Sequence, residues 1–358
     1  MSWDRGDSGA SACSSHGGAW TALYVTLVAL LVALLAASLL VIAFDESPAR
    51  VFALVVAHTL GEPYGAGQAL FRATTLVFTG LSVALAHRAG LFNVGAEGQL
   101  VAGSFACAAL GAALPAGTPA VLALPAVLLA AAAAGGAVGA IPGVLRARFG
   151  AHEVITTIML NFVVSGAVLF VARTWLFAPE TIHTRAVVPG ATIPALGLGG
   201  SAVSWAALLA LACALGVTWL LTRSRFGFEL RAVGQNPDAA RAGGVNVGRM
   251  TVIAMAAAGA LAGLAGSGTV LGYKHYFEKG LGADAGFTGI AVALLARGNP
   301  LAVLPAALLF ALLAEGGLAA GARVPREIVD VMLAVIVIVL AVAAAETRRV
   351  RASAGDGA

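Results

Sequence analysis

Polar side chains in this chain are segregated from long apolar runs. Residues 120–145 contain no charged side chain at all, and comparable apolar stretches recur from residue 21 to residue 346. A backbone carried by such stretches into hydrocarbon must satisfy its own hydrogen bonds, which for single segments means helix. Charged residues make up only 11% of the chain and its mean hydropathy is +0.94. A soluble domain carries about 25% charged residues, so the class is an all-α polytopic bundle in a membrane.

We place about ten spans, each near the roughly 20 residues a bilayer requires. They are 21–44, 70–87, 96–113, 120–145, 153–172, 204–222, 250–272, 281–296, 300–320 and 328–346. The second and eighth are short enough to be re-entrant. The run 21–44 is too long for a signal-peptide core and is read as a retained first span. The organisation expected is a cytoplasmic tail 1–20, a transmembrane domain 21–346 with a cytoplasmic loop 223–249, and a cytoplasmic tail 347–358. With both termini inside, the cytoplasmic segments hold 13 of the 21 Lys and Arg residues. Trp20, Tyr24, Trp175, Trp205, Trp219, Tyr273 and Tyr276 then fall at span ends, where amphipathic rings favour the membrane–water boundary. The net charge of +4 is distributed among these loops and does not form a nucleic-acid surface. Cys13, Cys107 and Cys213 have no metal-ligand spacing.

Small residues recur every fourth position at Gly135, Gly139 and Gly143, at Gly259, Gly263 and Ser267, and at Gly317 and Gly321. Such faces let helix backbones approach without a side chain between them. Residues 78–90 (FTGLSVALAHRAG) echo residues 287–299 (FTGIAVALLARGN), with seven of thirteen positions identical. Matching Gly-interrupted segments in two halves of a transporter can mark its pathway.

The longest polar interruption, Thr222–Met250, carries five Arg against Glu229 and Asp238. Its centre predicts a short helix. Asn236 suits the N-cap, Pro237 the first helical position and Asp238 the positive N-terminus. Ala239, Ala240 and Ala242 propagate it, and Gly243 with Gly244 ends it. About two turns do not hold alone, so another surface must support them. An ordinary Arg-rich loop is the alternative.

A second polar stretch, LFNVGAEGQL from Leu91, runs straight into an apolar span. Ionisable groups at membrane depth face protein or water, and Gly95 and Gly98 allow a break there. Asn93, Gly95, Glu97 and Gln99 are therefore candidates either for a translocation path or for a structural cap. Asn161, mid-span, is read as an inter-helix hydrogen-bonding group or a solute contact. His152 with Glu153 is read as an interfacial cap. Glu315 and Asp330 are further acidic groups in or near apolar spans, and with Glu97 they would be the relays of an ion-coupled secondary transporter. The chain has no G-x-x-x-x-G-K-[ST] phosphate loop, no H-E-x-x-H and no nucleophile elbow, so neither an ATPase nor a membrane hydrolase is expected.

The run GQNPDAARAGGV resembles the cytoplasmic coupling loop of permease subunits of bacterial ABC importers, in the branched-chain amino acid and ribose permease family. FNVGAEGQ is close to the FNIGAEGQ signature of the simple-sugar and nucleoside branch. HEVITTIMLNF from His152 and GFTGIAVALL from Gly286 are similar to the same branch. The four segments follow the family order and bracket about 200 residues, Phe92 to Leu295. Arg297 departs from the pattern, since relatives usually carry Gly and a small turn there.

The resemblance implies an inner-membrane permease that is not an enzyme and holds no cofactor or metal. ATP would be bound by a separate cytoplasmic subunit. Its partners would be that subunit, a second related or identical permease, an extracytoplasmic solute-binding protein and membrane lipid. Its solute would be a nucleoside or a simple sugar. Gly234, Asn236, Pro237, Asp238, Ala239, Ala240, Arg241 and Gly244 would form the contact with the ATPase.

Overall fold

The computed structural model describes residues 45–321 except 283, with scattered positions between 28 and 43 and between 325 and 339. Among the described residues the regular structure is helical, with only three isolated bridges and no strand. His58–Glu315 forms one compact unit, and the described residues on either side form another, in which Ala37, Val41, Val51 and Ala320 pack together.

The helices are α1 (Pro48–Val56), α2 (Pro63–Arg88), α3 (Ala96–Ala113), α4 (Ala120–Phe149) and α5 (Glu153–Val171). There follow α6 (Ala206–Arg223), α7 (Arg225–Gln235), α8 (Pro237–Ala242), α9 (Val247–Gly263), α10 (Ala285–Leu295) and α11 (Pro300–Ala320). A π-helical segment, Ser267–Lys274, continues α9.

Within His58–Glu315, α2 is the enclosed helix. Of its most apolar stretch 83% is buried, against 11% for α5. A helix apolar on every side belongs inside, whereas α5 presents Ile155, Phe162 and Phe170 outward, as a lipid-facing helix would. Around α2, residues Phe78, Leu81 and Ala84 pack with Leu100 of α3, Ala214 of α6, Ala262 of α9, Val292 of α10 and Val303 of α11.

The expected glycine faces meet each other. A Cβ added at Gly135 would lie 2.8 Å from the Gly263 Cα, one at Gly139 would lie 3.0 Å from the Gly259 Cα, and one at Gly143 would lie 3.0 Å from the Val252 Cα. Gly103 of α3 also lies against the Gly263 backbone, so α3, α4 and α9 converge there. Among the described residues, the atoms nearest a Cβ on Gly321 belong to Gly317 and Leu318 of its own helix.

Six helices are long and apolar enough to cross a membrane among the described residues. The spans expected at 21–44 and 328–346 lie largely outside those residues. The segment 70–87 is not short: it begins at Pro63 and runs 26 residues. Pro63 fits the first turn, and Tyr64 and Gln68 mask the helix from a hydropathy reading. The segment 281–296 contracts to an eleven-residue α10, about 16 Å long and so half of a ~30 Å hydrocarbon core. The two echoed segments are helical and touch, with Gly80 against Val292 and Gly289 against Thr79.

Between α5 and α6 the chain forms a strap. Its Val187 and Ile193 amides donate to the His275 and Leu271 carbonyls (2.8 Å each), and Thr184 donates to Phe277 (2.9 Å). The π-helical break thus has carbonyls satisfied by an outside partner, as buried backbone requires.

Two glycines separate close packing from helix propensity. Gly139→Val would overlap the Met255 backbone, whereas nothing lies within 4 Å of the Cβ direction at Gly166. Gly139→Val is expected to cost about 1–3 kcal/mol or to prevent folding. Gly166→Val is expected to leave the detergent melting temperature unchanged or higher, because valine is the better helix former. Thermal unfolding of the purified chain measures both.

Candidate functional site

The break between α2 and α3 is a hydrogen-bonded knot. Asn93 donates through Nδ2 to Ser82 Oγ (2.9 Å) and to Gln99 Oε1 (2.8 Å), and accepts at Oδ1 from Gln99 Nε2 (3.0 Å) and the Gly95 amide (3.1 Å). Asn161 of α5 completes it: its Nδ2 donates to the Val94 carbonyl and its Oδ1 accepts from the Gly98 amide, both at 2.9 Å. Asn93 and Gln99 are wholly buried and Asn161 nearly so. These partners satisfy the Gly95 and Gly98 amides at the start of α3, which has no i−4 carbonyl to offer them.

Glu97 points elsewhere. Its Oε1 accepts from the Asp284 amide (3.1 Å) and its Oε2 from the Gly286 amide (2.8 Å). A half-buried carboxylate of α3 thereby caps the N-terminus of α10, where the helix dipole favours negative charge. The Asp284 side chain makes no capping bond, and its φ is +65°. Gly286 is needed for the approach, since a Cβ there would overlap the Glu97 backbone. Asn93, Gly95, Gln99 and Asn161 thus come together at the start of α3, and Glu97 reaches the start of α10.

The loop candidates sit on α7 and α8, which pack in one cluster with Ala89 and Leu91 at the end of α2. Ser224 accepts from the Gly227 amide to open α7 (3.0 Å), and the periodic Leu230 and Val233 are buried. Asn236 ends α7 and caps α8, its Oδ1 accepting from the Asp238 and Ala239 amides at 3.0 Å. Pro237 occupies the first turn, and Gly244 (φ +86°) turns the chain out. Ala240 is 5% exposed and packs in a cluster with Leu85, Ala86, Leu230, Val233 and Met250. Pro237, Asp238, Ala239 and Arg241 stay exposed, with Arg241 paired to Asp238 (2.8 Å). The sequence reading missed α7, although its apolar residues at Phe226, Leu230 and Val233 keep helical spacing.

Gly234 lies within this seam. Its missing side chain lets α7 rest on the backbone of Arg88–Gly90 at the end of α2. From there Arg88 Nε donates to the Gly298 carbonyl (2.8 Å), in the turn after α10. Arg297 (φ +55°) and Gly298 (φ +64°) are both left-handed, a conformation that suits the expected glycine and costs an arginine about 1–2 kcal/mol.

His152 makes no capping bond; instead buried Glu153 pairs with Arg146 at the end of α4. Glu315 is buried against Arg72 (2.7 Å), with His58 Nε2 at 3.6 Å. Asp330 lies outside the described residues. Neither Glu97 nor Glu315 is left as an uncommitted carboxylate.

Asn161→Leu keeps the branching and heavy-atom count of the side chain while removing one donor and one acceptor from the knot. It should lower stability by about 1–3 kcal/mol for each buried backbone group orphaned. Unfolding of the purified chain in detergent would reveal this as a lower melting temperature, and an unchanged value would contradict the bracing role.

No solved structure matches the chain. It is 36% identical over 331 residues to the guanosine ABC transporter permease protein NupP of Bacillus subtilis, covering 89% of this chain and 93% of that one. To the nucleoside ABC transporter permease protein NupB of Lactococcus lactis it is 33% identical, covering 89% and 90%. To the glucose ABC transporter permease protein TsgB13 of Haloferax volcanii it is 33% identical, covering 90% and 88%. A family model described as branched-chain amino acid transport system / permease component matches residues 65–342. The chain, with its apolar helices, is accordingly a multi-pass membrane protein that belongs to this family of transport permeases, and it is not an enzyme.

Proposed function

We propose that the chain is the permease of an ABC importer that moves nucleosides, with simple sugars as the second choice. ATP would be bound and hydrolysed by a separate cytoplasmic subunit, and a solute-binding protein would deliver the ligand. A second permease, identical or related, would complete the pore. The full chain would cross the membrane about ten times with both termini and α7–α8 inside, an arrangement supported by the arginine asymmetry.

The observation that carries this reading is the build of α8. It is capped at both ends, anchored by the single buried Ala240, and otherwise exposed. That is a short rigid projection suited to docking in a cleft. Behind it, Ala240 shares a buried cluster with Leu230 and Val233 of α7, Gly234 of α7 bears on the end of α2, and Arg88 ties that end to the turn after α10. A push on α8 by the closing ATPase would reach the enclosed helix α2 and the half-length helix α10.

The solute class has a chemical argument besides the names of the relatives. Half-helix N-termini in transporters often receive an anionic solute group. Here Glu97 already occupies that position on α10, which disfavours an anion and suits a neutral solute.

The test separates a docked lever from a solvated loop. Ala240→Pro would remove the amide that donates to Asn236 (3.0 Å) and clash within the turn, costing about 3 kcal/mol in a helix interior. Arg241→Glu would leave the helix intact and place like charges beside Asp238, a cost of only about 0.2–0.5 kcal/mol. In the reconstituted complex both are expected to lose at least tenfold of the ATP hydrolysis stimulated by guanosine-loaded binding protein. Full stimulation in both variants would contradict the lever.

A further inference from the structure

Charge leaves the sequence abruptly at two points that flank α7 and α8. After Arg249 no charged side chain follows until Lys274, and before Arg223 none occurs back to Arg185. Trp219, one turn before Arg223, is 63% exposed. An arginine at the end of an apolar span and an exposed amphipathic ring both mark the membrane–water boundary. That boundary therefore passes through the end of α6 and the first turns of α9.

At this level a cleft of about 460 Å³ opens between α7 and α9. Its walls are Arg225, Phe226 and Glu229 of α7 and Arg249, Met250 and Ile253 of α9, with the turn that leaves α8 completing the lining. Each helix offers positions i, i+1 and i+4, which share one helical face. The lining changes character with depth. Arg225 and Arg249 are exposed, Phe226 is half-buried, and Met250 is buried. Ile253 lies one turn beyond Arg249 in the uncharged part of α9 and is still 36% exposed.

The two arginines are not equivalent. Arg225 Nε donates to Glu229 Oε1 (2.8 Å), whereas Arg249 has no ion pair among the described residues. Nor does α9 need the Arg249 side chain for its cap, since Asn246 Oδ1 accepts from the Arg249 backbone amide (2.9 Å). A guanidinium presents paired N–H donors that match a phosphate. Basic pockets between membrane helices on the cytoplasmic side take anionic lipid headgroups. An acidic surface of a soluble subunit could meet the arginines, but it could not follow the apolar wall past the boundary to Ile253.

We propose that the cleft between α7 and α9 binds an anionic phospholipid of the cytoplasmic leaflet. Arg249 holds the phosphate with Arg225 beside it, and Phe226, Met250 and Ile253 receive the start of an acyl chain. The bound lipid rests against α7 and the turn leaving α8, the segment that carries the lever. The choice of leaflet rests on the reading that α7 and α8 face the cytoplasm.

The test uses the full chain in nanodiscs of phosphatidylcholine with a trace of phosphatidylglycerol that carries a photoreactive group near its glycerol. Irradiation should label residues 225–229 and 249–253. Unlabelled phosphatidylglycerol should compete, whereas added phosphatidylcholine or inorganic phosphate should not. Arg249→Gln should lower the labelling at least threefold and leave the detergent melting temperature unchanged. Arg185→Gln, which removes the same charge from the strap, should leave the labelling unchanged.

Wild-type labelling of the cleft in Arg249→Gln, or no label in the cleft of the wild type, would overturn the site. Equal competition by phosphatidylcholine would overturn its preference for an anionic lipid. Competition by inorganic phosphate would mark a free-anion site, and loss of label on adding the ATPase subunit would mark a surface for that subunit; either contradicts a lipid site. Nanodiscs expose both faces of the chain, so these outcomes do not depend on its orientation. Reaction of Ser224→Cys with an impermeant thiol reagent in intact cells, in a chain otherwise free of cysteine, would overturn the cytoplasmic placement alone.

Discussion

Contact between helix backbones at Gly263 is the constraint on which the rest of this arrangement depends. Gly103 of α3, Gly135 of α4 and Gly263 of α9 approach so closely that no side chain fits between them. In lipid there is little hydrophobic drive between helices, and close packing of small residues takes its place. Fixing α3 against α9 there sets where the polar start of α3 lies. It also sets which carbonyls of the π-helical continuation of α9 must be satisfied by the strap at residues 184–193.

From that frame the polar groups follow. Two helices, α3 and α10, begin inside the unit, and each leaves amides without intrahelical acceptors. Asn93 and Asn161 serve α3, and Glu97 serves α10. Each brace reaches across an element boundary, so the helix ends are tied to one another. At the opposite end of α10, Arg88 holds the Gly298 carbonyl and joins this turn to α2 and to Gly234 of α7. The half-length helix α10 is therefore gripped at both ends, once by Glu97 of α3 and once by Arg88 at the end of α2, on which α7 rests.

Much of this was legible in the sequence where a single residue type forces a local choice. Asn236, Pro237 and Gly244 specify cap, first turn and exit of α8, and each occupies the expected place. The four-residue glycine spacing announced close helix contact. What escaped depends on tertiary partners. Nothing local in Glu97 indicates whether it caps its own helix or another, and its partners lie almost two hundred residues away. Glu153 beside His152 read as a terminal cap, but Arg146 across the turn claims it. α7 was hidden because five arginines in its neighbourhood outweighed a buried face of Gly227, Leu230 and Val233. The true length of α2 was hidden by polar residues in its first turns, which a hydropathy window discounts.

The Glu97 carboxylate holds the N-terminus of α10, and amide hydrogen exchange tests this directly. The Gly286 amide sits in the first turn of α10, where the helix itself offers no acceptor, and Glu97 supplies one at 2.8 Å. In the purified wild-type chain this amide should exchange slowly, with the same order of protection as the Val292 amide within α10. In Glu97→Ala it should exchange at least tenfold faster while Val292 keeps most of its protection. Equal, fast exchange of Gly286 in wild type and variant would show that Glu97 does not hold this end of α10.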